Sequence, residues 1–253
     1  MSGHSKWATT KHRKAAQDKK RSALFSKLSR NITVAAKVGG DPNPENNASL
    51  ATAVEKAKAN SLPKDKIKQA IDKAFGAGKD AANYEECVYE GYGPCGVAIY
   101  CEALTDNRNR TAADVRSAFT HSGGNLGTSG SVAFQFARLG EIIVDKAACG
   151  DEDELMMAVA EAGGDDYEDG GDEWVVKSQA NNCMQVKKGL EDQGIEVKGA
   201  EIVMEPTNPT AVEPSQAKKV MRLIDKLEEL EDLQNVYHTM DMTDEVIAVL
   251  DEE

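Results

Sequence analysis

The hydrophobic residues of this chain keep a purely helical period only up to Tyr84, and the charge changes sign at almost the same place. Before Tyr84, apolar residues recur at helical spacing in three runs. These are Leu24, Phe25, Leu28, Ile32, Ala35 and Ala36; then Leu50, Ala53, Val54 and Ala57; then Ile67, Ala70, Ile71 and Ala74. Each run lines one face of a helix, so three helices are predicted. Gly39-Gly40, the turn Asp41-Pro42-Asn43-Pro44, Pro63 and the pair Gly76 and Gly78 delimit them. Met1 to Lys79 holds 17 Lys+Arg against 6 Asp+Glu, a net of +11, whereas Asp80 to Glu253 holds 13 against 37, a net of −24. The overall charge of −13 therefore conceals a cationic segment on an acidic body.

After Tyr84 strands and helices mix. Val97 to Leu104 reads as a strand behind the turn cluster Gly91, Gly93, Pro94 and Gly96. Thr111-Ala112-Ala113-Asp114 has capping-box form and predicts a helix carrying Val115, Ala118 and Phe119. Ser131 to Ala137 alternates like a strand, with Val132, Phe134 and Phe136 on one side. From Glu141 to Glu205 the order is strand (142–144), helix (154–162), hairpin (165–169 and 173–177), helix (181–192) and strand (195–204). That is β-α-β-β-α-β, the ferredoxin-like order. Past Pro206, Pro209 and Pro214, Val220, Leu223, Ile224, Leu227 and Leu230 form an amphipathic helix, and Asn235 to Met240 a last strand. This pair lacks a domain of its own and is assigned to the middle of the chain. The expected fold class is α/β (α+β), with a basic helical domain (1–80), a discontinuous middle α/β domain (81–139 plus 207–253) and an inserted ferredoxin-like domain (140–206).

The arm before Leu24 is too polar to bury much and is expected to be exposed. Lys6, Lys11, Arg13, Lys14, Lys19, Lys20, Arg21, Lys27 and Arg30 crowd there around Trp7, and acids that would lace them into i,i+4 pairs are almost missing. Clustered cations release counterions from a polyanion, and an exposed indole stacks on a base. These ten residues are the candidate nucleic-acid contacts, with DNA and RNA both open. A second candidate lies between the strand and the helix at Thr105 to Thr111. There Arg108 and Arg110 either meet an anion, or belong to a structural loop in which Asp106 pairs with an arginine and Asn107 or Asn109 turns left-handed. The glycine-rich stretch Gly123 to Gly130 lacks a Walker A signature and reads as a turning connection. The acidic hairpin from Asp165 to Gly170 reads as a solvated edge.

Other classes fit less well. The five cysteines include no C-x-x-C pair and their number is odd, which points to free thiols rather than zinc or redox chemistry. His4, His12, His121 and His238 are scattered, and no hydrolase or metalloprotease motif is present. No catalytic residue, metal, cofactor or small-molecule substrate is expected. No apolar run approaches the ~18 residues of a membrane helix, and the N-terminus lacks a secretory core. An enzyme on nucleic acid, with His121 and a carboxylate around a metal, and a protein-interaction scaffold using the acidic faces are the competing classes.

Long motifs in this chain resemble the YebC/PmpR family of transcriptional regulators. They are Gly3-His4-Ser5-Lys6-Trp7, Lys11 to Asp18, Phe25-Ser26-Lys27-Leu28, Tyr89 to Pro94, Leu104 to Thr111, Gly123 to Val132 and Asp232 to Tyr237. The resemblance spans essentially the whole chain. It implies three domains around a cleft, no known catalytic activity and nucleic acid as partner; a monomer is expected. The partner is DNA by the usual family label, or RNA and the ribosome by likeness to mitochondrial translational activators. A family motif beginning at Gly3 leaves no room for a presequence, so a cytoplasmic protein without a membrane partner is expected. Two departures stand out: Pro94-Cys95-Gly96 replaces the family's Pro-Gly-Gly, and Asn46 to Ala51 lacks an arginine expected there.

Overall fold

The computed structural model of the protein describes the backbone of residues 18–76 and 84–251, and their side chains except at 18–21, 148 and 251. In chain order the elements are α1 (Asp18–Gly39), α2 (Ala48–Ala59), α3 (Lys64–Phe75), β1 (Glu85–Tyr92), β2 (Ala98–Thr105), α4 (Arg108–His121), β3 (Asn125–Leu126) and β4 (Phe136–Asp145). There follow α5 (Glu152–Ala162), β5 (Asp166–Asp169), β6 (Glu173–Gln179), α6 (Cys183–Asp192), β7 (Val197–Pro206), α7 (Pro214–Glu228), β8 (Leu233–His238) and α8 (Asp244–Asp251). The described residues form two compact units, one of 18–131 with 219–236 and the other of 132–218 with 237–251. None of the described helices is long and apolar enough to cross a membrane.

In the first unit, α1 to α3 bury their apolar stripes in one cluster that includes Leu28, Ile32, Leu50, Val54 and Ile67. Each such aliphatic burial stabilises by about 1.5–3 kcal/mol against the entropy of ordering. Asn47 stitches the first two helices together. Its side-chain oxygen accepts from Leu50 N (3.1 Å), capping α2, and its amide donates to Ala35 O (3.0 Å) and Asp41 O (3.2 Å). A Cβ on Gly39 would fall 2.1 Å from that amide, so glycine is required there. Among the described residues α1 already runs from Asp18, ahead of Leu24 where the polar sequence suggests an exposed arm, and Leu24 itself is 39% exposed.

The same unit contains a sheet of order β3-β1-β2-β8. Strands β1 and β2 run antiparallel from Glu85 opposite Thr105 to Tyr92 opposite Ala98. The glycine-rich stretch is a packed connection. Gly127 N donates to Glu90 O and Gly130 N to Glu90 Oε1, each at 2.7 Å, and a Cβ on Gly91 would meet Asn125 O at 2.5 Å. Between β1 and β2, Cys95 adopts φ 60°, ψ 16°, a left-handed conformation natural to glycine. Cys95→Gly is expected to raise stability by about 0.5–1 kcal/mol, while Cys95→Ala gains nothing. Thermal unfolding of the two variants checks this, and equal midpoints would remove the strain argument.

Helix α4 starts earlier than the capping-box reading places it. Asn107, extended at φ −151°, is the N-cap and accepts from Arg110 N at 3.1 Å, while Thr111 lies inside the helix and is buried. Neither Asn107 nor Asn109 turns left-handed; among described non-glycine residues only Ser61 and Cys95 have positive φ. Asparagine caps at least as well as threonine, and the Thr111 hydroxyl is committed to a buried carboxylate.

The second unit has the connectivity β4-α5-β5-β6-α6-β7 and the strand order β5-β6-β4-β7, with all neighbours antiparallel. Ile142, Val144 and Val176 pack against Leu155, Val159, Val186 and Leu190 of α5 and α6. The opposite face is mixed, with Ile143 paired with the buried Val175 and charged residues beside them. Across the register, Glu141 of β4 lies between Lys177 of β6 and Glu201 of β7. Lys177 Nζ already donates to Glu168 (2.7 Å) and Glu205 (2.5 Å), so part of the acidic hairpin is locked in rather than solvated. The strand expected over 131–137 forms only from Phe136. Ala133–Gln135 is a 3₁₀ turn, and Phe134 is 73% exposed, so the alternation there does not mark a buried face.

Candidate nucleic-acid interface

Of the ten candidate residues in the arm, Lys6, Trp7, Lys11, Arg13 and Lys14 lie outside the described residues. Lys19, Lys20 and Arg21 occupy the first turns of α1, where only the backbone is described. Lys27 and Arg30 hold the fold together. Lys27 Nζ donates to Glu228 O at 2.7 Å. Arg30 Nη1 donates to Glu231 O (2.6 Å), Leu104 O (3.2 Å) and Asp232 Oδ1 (2.9 Å).

Asp232 is the centre of this arrangement. Its other oxygen accepts from Arg110 Nη2 (2.8 Å) and from the Thr111 hydroxyl (2.6 Å), with the Thr105 hydroxyl at 3.3 Å. Arg110 Nη2 also donates to Asp106 at 2.8 Å. Burial opposes the Asp232 charge, but the hydrogen bonds from Thr111 and Arg110 and the nearby Arg30 outweigh it and hold the carboxyl below its usual range. Hydrogen bonds to Asp232 and Asp106 push Arg110 above the usual guanidinium range. Arg110 is therefore a structural cation with a half-exposed flank. Arg108 differs: its side chain is 63% exposed and only loosely paired, 3.7 Å from Glu85. Of the two, Arg108 is the freer to meet an anion.

Helices α2 and α3 add cations beyond those of the arm. Lys58, Lys64, Lys66 and Lys68 are exposed, and among the described residues they make no ion pair. A groove of about 570 Å³ runs between α1 and α3. Ser22, Ser26 and Ser29 line one wall, and Lys66, Gln69 and Lys73 the other. Tyr84 lies beside it, with the Arg30 guanidinium 5.1 Å and the Lys73 ammonium 5.8 Å from its ring centroid. The 4-3 spacing of the serines is a signal in the sequence, but serine is neutral in a hydrophobic pattern and charge counting passes over it.

His121 sits at the exposed end of α4, its Nδ1–H donating to Ser117 O at 2.8 Å, and His238 is buried in β8. Among the described residues no cluster of three or more His, Cys, Asp or Glu is arranged to hold a metal. All five cysteines are free thiols.

Comparison with known proteins accounts for both halves of the chain. Residues 5–77 match the TACO1/YebC protein N-terminal domain, and residues 84–240 the TACO1/YebC second and third domain. A protein of Rubrobacter xylanophilus is 52% identical over 248 residues, covering 98% of each chain, and one of Bifidobacterium animalis subsp. lactis is 48% identical over the full length of both. Each bears the name "Probable transcriptional regulatory protein". The crystal structure of a conserved hypothetical protein from Aquifex aeolicus superimposes with a TM-score of 0.80 at 39% identity, covering 91% of this chain and 94% of that one. On the family matches and these identities, the chain belongs to the TACO1/YebC family.

Proposed function

We propose that the protein regulates gene expression, in the first place transcription, by binding DNA through its cationic N-terminal segment and without catalysing a reaction. The observation that carries this is the unneutralised charge of that segment. Its helices bury mainly aliphatic stripes, and Lys58, Lys64 and Lys68 stay exposed without an ion pair among the described residues. Cations left unpaired on a rigid scaffold suit a phosphate backbone. The names of the relatives support the regulatory part of the reading.

Lys6, Trp7, Lys11, Arg13, Lys14, Lys19, Lys20 and Arg21 are the principal contacts in this reading, and Arg108 supplies a second phosphate contact. Neutralising Lys6, Lys11, Arg13, Lys14 and Lys19 with glutamine should weaken binding to duplex DNA. It should also lower the log–log salt slope by roughly 0.9 for each phosphate that the variant no longer neutralises. Anisotropy titrations at several salt concentrations measure both. Unchanged affinity and slope would refute the reading, and a clear preference for RNA over DNA in the same titrations would move the function to translation.

A further inference from the structure

We infer that the groove between α1 and α3 seats one unstacked nucleotide of a single strand. This rests on the reading that the protein binds nucleic acid, and it adds where and in what form a strand is held. Each wall carries a row of polar side chains. Ser22, Ser26 and Ser29 stand at i, i+4 and i+7 on α1, and Lys66, Gln69 and Lys73 at i, i+3 and i+7 on α3. Such spacings keep side chains on one helical face, so each wall presents its whole set to the same space.

The groove is already built. The buried Thr33 hydroxyl, which also lines it, donates to Ala70 O at 2.9 Å and ties α1 to α3, so little ordering is needed on binding. The wall chemistry is divided as a nucleotide is divided. Ammonium groups match a phosphate as point charges, serine hydroxyls donate to phosphate oxygens and can exchange hydrogen bonds with sugar hydroxyls, and the Gln69 amide suits a base edge. Tyr84 offers aromatic surface for a base face. Lys73 Nζ lies 3.5 Å from the Tyr84 hydroxyl, so the cation and the ring occupy the same end. Among the described residues that line the groove, Glu231 is the one acid, and Lys66 and Lys73 outnumber it.

Size and shape select the strand. A volume of about 570 Å³ lies in the range of small-ligand sites, roughly 300–1,000 Å³. A duplex keeps its bases stacked inside and reaches such a slot only with its phosphates. A single strand can turn a nucleotide out and fill it, and a free mononucleotide carries the same chemistry.

The test uses the full chain and labelled oligonucleotides at matched salt, repeated at several salt concentrations: single-stranded DNA, RNA of the same sequence, and the DNA duplex, with a mononucleotide as competitor. The variants are Lys66→Gln with Lys73→Gln, and Ser22→Ala with Ser26→Ala and Ser29→Ala. Alanine favours helix over serine, so the second set retains α1, which circular dichroism checks. The lysine pair should weaken single-strand binding about tenfold and duplex binding less than about twofold. The serine triple should weaken single strands about three- to tenfold and leave the salt slope unchanged, since no charge is removed. Competition by millimolar mononucleotide against the wild type, abolished in the lysine pair, would identify a free nucleotide as an occupant; its absence would assign the groove to strands alone. Equal losses on single strand and duplex, or no loss on either, would overturn the inference. A wild type that binds none of the three nucleic acids would instead overturn the parent reading.

Discussion

Asp232→Ala should destabilise the protein by about 3–5 kcal/mol, because it leaves Arg30 buried without its carboxylate. The Arg30 side chain is 12% exposed and that of Asp232 9%, and the same carboxylate satisfies Arg110 and Thr111. Asp232→Asn should cost less, since one oxygen can still accept from a guanidinium. Hydrogen exchange at the α1 and α4 amides, read alongside urea unfolding, locates the loss in this unit. The pH dependence has a defined sign. The Asp232 carboxyl is held below its unfolded value, so its contribution is complete above about pH 4 and disappears as pH falls through the folded value. Wild type should therefore lose part of its stability on acidification below about pH 4, and Asp232→Ala should lack that part. A cost under about 1 kcal/mol would mean that the two arginines are held by their carbonyl and Asp106 partners alone.

Glu141→Gln should act in the opposite direction. Burial, reinforced by Glu201 and Glu205 and only partly offset by Lys177, pushes the Glu141 carboxyl up to about 7. The folded protein then holds a proton that the unfolded chain has released, so stability falls as pH rises from about 4.5 through 7. Above pH 8 the charged group opposes folding by up to about 3 kcal/mol. The glutamine variant removes that charge and should be about 2 kcal/mol more stable than wild type at pH 8, and indistinguishable from it near pH 5. Trp174 lies in the same sheet, and the chain has two tryptophans, so a Trp7→Phe background makes its fluorescence specific for this unit. A pH-independent difference between the two proteins would show that Glu141 finds a cation of its own.

Much of the architecture is legible in the sequence because local pattern and tertiary burial agree. The stripes of Leu28, Ile32, Leu50, Val54 and Ile67 bury as their spacing requires, and the order from β4 to β7 follows from alternating periods. Departures fall where short-range rules compete. Thr111 looks like a cap, but a buried carboxylate more than a hundred residues away claims its hydroxyl. Phe134 alternates correctly and still lies outside any strand. The site is less legible than the fold. Charge density marks Lys27, Arg30 and Arg110 as ligand contacts, because their partners Glu228 and Asp232 are remote in sequence. The wall of Ser22, Ser26 and Ser29 leaves no trace in such a reading, because hydroxyls carry no weight in a count of charge or hydropathy.

The placement of Asp232 also bears on how the protein is made. The carboxylate and carbonyls that restrain Arg30 lie mostly about two hundred residues downstream of it, and β8 completes a sheet begun at Glu85. During synthesis the three N-terminal helices can collapse on their own aliphatic stripes once Phe75 has emerged, but the sheet that follows must wait for the last strand of the chain. The nascent chain thus passes through a long interval with its most cationic helix folded and unanchored. A chain that stopped at Leu230 would stay in that condition, because the anchor and β8 would both be missing.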